Sequence, residues 1–595
     1  MTYTPPLRDL SFALNEVAGA GALRACEAFS GFDDETEAAV LAAAGKLARD
    51  VLAPLNRAGD KSGARFENGR VYAAPGFADA YRSFAAGGWN ALSADPEYGG
   101  QGLPKALDIA VFEMFDAANM AFTLCPTLTQ GAIEALAAHG TPAQKSLYLP
   151  KLISGEWTGT MNLTEPQSGS DLASLRTRAE PASDGSYRLS GQKIFITWGD
   201  HDAADNIVHF VLARLPGAPQ GTKGISLFLA SRRLVATDGT LGPANALHAG
   251  GIEHKLGIHA SPTCTMIYDG ARAELVGKEN HGLAHMFTMM NAARLQIGLQ
   301  GVGIAERAYQ QALAYALERR QGRSSWSGEY PARLFDHPDV RRMLMLIKAH
   351  IEAGRGICLS TAVAADLARV APDEGLRASA RLREELLTPI AKAWTTDMGV
   401  EATSAALQIH GGMGFIEETG AAQHYRDARI APIYEGTNAI QAIDLVGRKL
   451  ALANGAAIGE LLRDVSVTVR ALADSPDARL RATGARLDAA IATVHAATQW
   501  LNERRAHAPA DMLAGATSYL KLLGDTTGGW MLAKGALAAA RHLAQGDDAY
   551  WRTKIALAHL YAECVLAGVP GLAASVELGT EDLTAVTPEA LGASA

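Results

Sequence analysis

Cysteine is scarce in this chain and scattered. Cys26, Cys125, Cys264, Cys358 and Cys564 form no CxxC pair, so no disulfide framework is expected, and reduced, mostly buried thiols in a cytoplasmic protein are. Aromatic residues make up only 6% of the chain while alanine is very common, which favours long helices over sheet. No excess of basic charge exists either: the net charge is -9 and the sequence pI is near 6.0, which argues against a nucleic-acid or anionic-membrane partner. No uninterrupted run of about 18 apolar residues occurs, so no membrane span is expected. The opening "MTYTPPLRDLSFALNEV" lacks an apolar h-region and brings in Arg8 and Asp9 early, so no signal peptide is expected.

What is present is a long, ordinary globular composition. A length of 595 residues suggests about three to four domains, and 48% apolar with 20% charged residues can build a large core. After an arm at 1–33, the stretch 34–54 reads as a helix: Val40, Ala44, Leu47 and Val51 recur at helical spacing, Asp33 or Asp34 can cap it, and Pro54 ends it. Helical patterns continue, giving a first helical domain at 34–158. The texture then changes to short segments rich in β-branched and aromatic residues, such as "YRLSGQKIFITW" and "NIVHFVLARL", broken by Gly, Asp and Pro turns. These predict a small β-barrel or sandwich at 159–275. Helices return in 276–453, with a long helix over 294–321 and others over 339–369, 376–409 and 437–453, a pattern expected of a four-helix bundle. An additional helical domain is expected at 454–595, with a loosely packed tail after Pro570. The fold class is therefore mainly α with a β insert.

Several motifs have both a bland and a chemical reading. "LTEPQSGSDLA" at 163–173 is ordinary loop composition, and its hydroxyls and backbone N–H groups also suit a phosphate-bearing ligand. "GLQGVGIAE" at 298–306 has Glu306 where a dinucleotide fingerprint needs glycine and has no preceding strand, so helix–helix packing accounts for it better. "QIHGGMGF" at 408–415 fits a helix end, yet three glycines in four residues also suit close approach by a cofactor. His410 reads as a loop or core histidine, and His254 with His259 has no further metal-ligand constellation, so no metal is expected. Arg294 and the pair Arg319–Arg320 suit either a helix dipole or a phosphate. In "APIYEGTNAIQ" at 431–441, Glu435 precedes a helix start where Thr437 or Asn438 can cap without it. Spacing alone favours a helix-start charge, while shielding by Tyr434 and Ile433 suits a general base.

Taken in order, "DPEYGGQGLP" (95–104), "LTEPQSGSDLA", "IFITWG" (194–199), "NAARLQIGLQGVGIAERAYQQALAYALERR" (291–320), "QIHGGMGF" and "RDARIAPIYEGTNAIQ" (426–441) closely resemble the acyl-CoA dehydrogenase family. The resemblance implies FAD, an acyl-CoA thioester and α,β-dehydrogenation, with electrons passed to an electron-transferring flavoprotein. It implies that Glu435 is the catalytic base. Thr164, Phe195, Thr197, Arg319, Gln408, Gly411, Gly412 and Thr437 match positions that contact FAD, and Ser170, Asn291 and Arg294 match positions that hold the CoA-bearing substrate. Some relatives carry the base immediately before the position of Arg294. That residue is Ala293 here, which cannot act.

The chain also departs from the family pattern. The aromatic expected after the long helix is Gly322, and the C-terminal block adds about 140 residues to the usual family length. That block, the arm and "ERRQGR" resemble a longer subgroup whose substrates include 3-methylthiopropanoyl-CoA, beside short and medium fatty acyl-CoA thioesters. The extension is expected to cover surface that shorter relatives bury between dimers, leaving a homodimer. An acyl-CoA oxidase shares the same features. A flavin-bearing DNA-binding protein of the adaptive-response kind is disfavoured, since 451–595 holds 12 Lys plus Arg against 15 Asp plus Glu, a net of -3.

Overall fold

The computed structural model describes residues 3–593 and divides into two compact units. The first holds the arm up to Leu7, Gly31–Arg307 and Glu417–Ile430; the second holds Arg8–Ser30, Ala308–Ile416 and the chain from Ala431 onward.

In the first unit Asp33 caps the helix Asp34–Leu47, its carboxylate accepting from the Thr36 N–H at 2.8 Å. The expected stop at Pro54 does not occur. One π turn, Ala48–Leu52, leads into a further helix, Ala53–Ser62, with Pro54 in its first turn. The π turn shifts the bonding pattern just before the proline, which lacks an N–H to continue the ladder, while the Ala53 N–H still bonds the Ala48 carbonyl and the helix runs on. The central helix Lys105–His139 is almost entirely buried, and it breaks at Asn119, whose side chain then caps Phe122 at 3.2 Å. Phe84, Phe112, Phe115 and Phe122 pack edge to face around it.

The β part docks on that helix through Gly159, where a Cβ would stand 2.4 Å from the Ala132 methyl, and through a 3.0 Å bond from the Gly159 N–H to Thr129. Strand Trp157–Asn162 runs parallel to Asn206–Ala213, which pairs antiparallel with Ser226–Ser231. That strand pairs with the C-terminal end of the 14-residue strand Thr263–Val276. The N-terminal part of the same long strand pairs with Tyr187–Thr197 and Leu247–Ile252, so one strand serves both halves of a seven-stranded sheet. The long helix begins earlier and ends sooner than its apolar stripe suggests, at Gly282–Glu318. Gly303 on it is a packing glycine, since a Cβ would lie 2.8 Å from the Asp116 Cβ.

In the second unit the helices Pro338–Val370 and Glu374–Ile409 lie side by side. The added C-terminal helix Ala516–Leu543 packs on both of them. Gly524 admits the Trp394 ring, whose indole N–H donates to Asp525 at 2.8 Å. The helix expected over 437–453 is Asn438–Gly447, and the chain then leaves helical geometry at Leu452–Asn454. The tail is also better packed than expected. Pro570 lies in the first turn of the helix Val569–Val576, whose two terminal valines are buried; Val576 is the last buried one of the described residues, and those from Glu581 onward are all exposed. By length and hydropathy Lys105–His139 and Ala549–Val576 could each cross a bilayer, which a search for uninterrupted apolar runs passes over. The apolar window of the first is wholly buried in protein, and that of the second is 39% buried.

The arm residue Asp9 ties this unit together. Its carboxylate meets Lys348 at 2.7 Å, Lys554 at 2.8 Å and the Tyr550 hydroxyl at 2.8 Å, with Arg355 at 4.0 Å. Burial pushes this carboxyl up, but the three cations outweigh burial and hold it well below the usual range. A depressed folded-state pKa means the stabilisation is complete above the ordinary value near 3.8 and is lost as pH falls toward the folded-state value. Asp9→Asn is expected to cost about 3–5 kcal/mol at pH 7, as for one partner removed from a buried ion pair. It should also flatten the acid limb of the stability profile. Urea titrations at pH 7, pH 4 and pH 2 check both: the gap between wild type and variant should be the same at pH 7 and pH 4 and should narrow at pH 2, and an unchanged midpoint at pH 7 refutes the first.

Candidate functional site

Within the first unit, a buried ion pair fixes the loop 163–173 to the strand Tyr187–Thr197. The Lys193 ammonium, fully buried, donates to Glu165 at 2.8 Å and to the Leu163 carbonyl at 2.9 Å. Glu165 also accepts from the Thr177 hydroxyl at 2.6 Å and from the N–H groups of Thr177 and Arg176. Burial opposes the Glu165 charge, but Lys193 and these donors hold the carboxyl below its usual range. The Thr164 carbonyl, between these anchors, accepts from the Ile194 N–H at 2.9 Å. Thr164 is thereby pinned beside the strand end that carries Phe195 and Thr197.

That strand end is unusual. Phe195 and Trp198 both have left-handed backbone, with φ of 59° and 50°. Trp198 turns inward, its indole N–H donating to the Ala121 carbonyl. Phe195 turns outward and is 58% exposed, with Thr197 half-buried two residues on and Thr164, also half-buried, held to the strand by the bond from Ile194. An outward aromatic ring with hydroxyls in the same segment suits a planar aromatic ligand with polar edges. Ser170 stands exposed just beyond the turn closed by paired Glu165–Ser168 backbone bonds, in a bend spanned by the Ser168 hydroxyl, which donates to the Asp171 carbonyl at 2.8 Å. Asn291 and Arg294 lie one turn apart on Gly282–Glu318. Asn291 is exposed, while Arg294 is buried and donates to the Asn291 side-chain oxygen at 3.2 Å.

Within the second unit, Glu435 has left-handed backbone at φ 56° and is followed by Gly436 at φ 79°. Thr437 is the N-cap of Asn438–Gly447, its hydroxyl accepting from the Ile440 N–H at 3.4 Å. The cap is therefore Thr437, and the Glu435 carboxylate stands outside that role. Arg319 is exposed and bonds Gln321 at 3.1 Å rather than the glycine loop. One turn before it, Tyr315 stacks at 4.7 Å on His410, a buried loop histidine as expected, and so brings the Arg319 helix beside Gln408–Gly412. Gln408, Gly411 and Gly412 are all exposed. Gly411 has φ 58°, whereas Gly412 has neither left-handed backbone nor any atom within 4 Å of a built Cβ.

The residues missed by sequence reasoning are Glu165, Lys193 and Lys392. The available signal was chemical: a lysine between apolar residues in "GQKIFIT" and another in "PIAKAW" must bury an ammonium and needs a partner. His259 pairs with Asp60 at 2.9 Å, and among the described residues no group of three His, Cys, Asp or Glu side chains could hold a metal ion.

Comparison with known proteins places these segments. Residues 34–156, 160–271 and 280–451 match the N-terminal, middle and C-terminal domain models of acyl-CoA dehydrogenase, and 461–587 match a model described as acetyl-CoA dehydrogenase C-terminal like. The chain is 46% identical over 568 residues to 3-methylmercaptopropionyl-CoA dehydrogenase of Ruegeria pomeroyi, covering 95% of this chain and 96% of that protein. Its fold is like that of ACDH-11 of Caenorhabditis elegans in complex with C11-CoA, with a TM-score of 0.78, 20% identity, and coverage of 95% and 92%. It is also like that of an acyl-CoA dehydrogenase of Bacillus anthracis complexed with FAD, with a TM-score of 0.74, 21% identity, and coverage of 92% and 88%. The chain belongs to the acyl-CoA dehydrogenase family.

Proposed function

We propose that this protein is an FAD-dependent acyl-CoA dehydrogenase in which Glu435 is the catalytic base. The observation that carries the assignment is the Glu435 carboxylate on left-handed backbone, relieved of capping by Thr437, with Ala293 at the alternative base position. The exposed Phe195 ring and the unfilled space over Gly412 fit FAD. Thr164, Phe195, Thr197 and Thr437 would hold its flavin end, and Arg319, Gln408, Gly411 and Gly412 its phosphates and adenine. Ser170, Asn291 and Arg294 would hold the CoA-bearing substrate. When bound, FAD supplies the acceptor for the β-hydride, and its electrons pass on to an electron-transferring flavoprotein.

The remaining chemistry belongs to the protein. Glu435 takes the α-proton onto its carboxylate as the Cα=Cβ bond forms, which yields the trans-2-enoyl thioester. An α-proton of a thioester is weakly acidic, so negative charge developing on the thioester oxygen must be stabilised as the proton leaves. The Glu435 backbone N–H is the protein donor assigned to that oxygen, and exclusion of water strengthens its bond. The substrate favoured by similarity over the whole length is 3-methylthiopropanoyl-CoA. A cytoplasmic homodimer is favoured, because Ala516–Leu543 covers the bundle helices within its own unit.

Glu435→Gln should retain FAD and lose at least about 10² in the rate of flavin reduction by substrate; near-normal reduction refutes the base assignment. In a thioester panel with an artificial acceptor, kcat/KM for 3-methylthiopropanoyl-CoA should equal or exceed that for butyryl-CoA. A preference for butyryl-CoA above about tenfold, more than a simple pocket mismatch of one group produces at its low end, refutes the substrate assignment. Sedimentation should give a dimer, and a stable tetramer refutes that reading.

A further inference from the structure

The loop that carries Glu435 is gripped from the helix Glu374–Ile409 by a side chain that neither the motif pattern nor the proposed chemistry uses. Lys392 is fully buried on that helix, and its ammonium donates to the Gly436 carbonyl and to the Asn438 side-chain oxygen, both at 2.8 Å. Asn438 is in turn oriented by three acceptors that share the two hydrogens of its amide nitrogen: the Ala393 carbonyl at 3.0 Å, the Thr396 hydroxyl at 3.0 Å and the Asp397 carboxylate at 2.8 Å. Its backbone N–H donates to the Pro432 carbonyl at 3.0 Å, closing the loop on itself. Because Thr437 already caps the helix, these bonds are not needed to start it.

We infer that Lys392, held in register by Asn438, is the positioning residue for Glu435. The inference rests on the reading of Glu435 as the base. Two successive residues, Glu435 and Gly436, have left-handed backbone, and glycine lets the peptide that follows it rotate freely. The Gly436 carbonyl belongs to that peptide. A charged donor fixed by burial selects one orientation of it, and because the Asn438 N–H bond to Pro432 and the Gln441 amide bond to the Glu435 carbonyl at 3.5 Å restrain the loop on the other side of the glycine, Glu435 between them is held to one backbone course. Lys392 touches neither substrate nor cofactor in this account; it acts through the backbone. Arginine could reach the same carbonyl and keep the charge, whereas methionine fills similar volume and offers no donor.

The test compares Lys392→Met, Lys392→Arg and Glu435→Gln in the FAD-loaded full chain. For Lys392→Met the expected result is normal FAD content, a KM within about twofold, and a kcat lowered about 10- to 100-fold, the scale of a reacting group displaced by about 1 Å. Amide hydrogen exchange over 431–441 should accelerate in the same variant, a readout that needs no turnover. Lys392→Arg should recover most of the kcat and of the exchange protection. Unchanged kcat and unchanged exchange in Lys392→Met, with Glu435→Gln inactive, overturn this inference alone. Active Glu435→Gln overturns the base reading instead. If Lys392→Met does not fold, Asn438→Ala removes the register bonds from the surface side, and normal kcat with normal exchange in that variant overturns the inference.

Discussion

The Glu165–Lys193 ion pair is the interaction on which the placing of the loop 163–173 against the strand Tyr187–Thr197 depends. Both charges are buried, and a buried pair of this kind roughly breaks even against a well-packed apolar pair. Its value is in register. Apolar contacts between a loop and a strand tolerate sliding, whereas a carboxylate bonded to Lys193, Thr177 and Arg176 at once has one place to sit. That place sets Thr164 against Ile194, and the next residue along the strand is Phe195. Loss of either charge would leave the other buried without its counter-ion, a far larger cost than the pair's net contribution.

The second unit uses the same device twice, at Asp9 and at Lys392. In each case a charge brings together segments far apart in sequence: Asp9 with Lys348 and Lys554, Lys392 with Gly436. The energies make the second case plausible on its own terms. A non-glycine residue in left-handed backbone costs roughly 1–2 kcal/mol, and a hydrogen bond to a charged group contributes about 1.5–3 kcal/mol. The bond from Lys392 to the Gly436 carbonyl is therefore large enough to offset the cost of left-handed backbone at the neighbouring Glu435.

The order of helix block, β insert and helix blocks was legible because composition and period change sharply at the boundaries, and six motifs carried the family. Errors arose where one local signal stood for a tertiary outcome. Pro54 reads as a stop, yet a π turn resets the helix so that the proline falls in a new first turn. Pro570 reads as the start of a loose tail, yet it opens a short helix whose valines are buried. The long-range charge pairs were not legible at all. Helical and strand periods connect residues two to four apart, while Glu165 and Lys193 are 28 apart and Asp9 and Lys554 are 545 apart.

Glycine shows most clearly what coordinates add to a motif. By sequence, the glycines of "GLQGVGIAE" read as helix–helix packing and those of "QIHGGMGF" as a helix end that also suits close approach by a cofactor. The structure separates them by what approaches. At Gly303 it is the neighbouring helix, and at Gly414 it is the Leu407 carbonyl, 2.3 Å from where a Cβ would stand. Gly411 is required by its own left-handed backbone. Gly412 has neither reason: its backbone would accept alanine and nothing in the chain fills the space above it. The chain's own packing and backbone therefore do not account for glycine at 412, in contrast to Gly411 and Gly414 on either side of it in the same short loop beside the buried His410–Tyr315 stack.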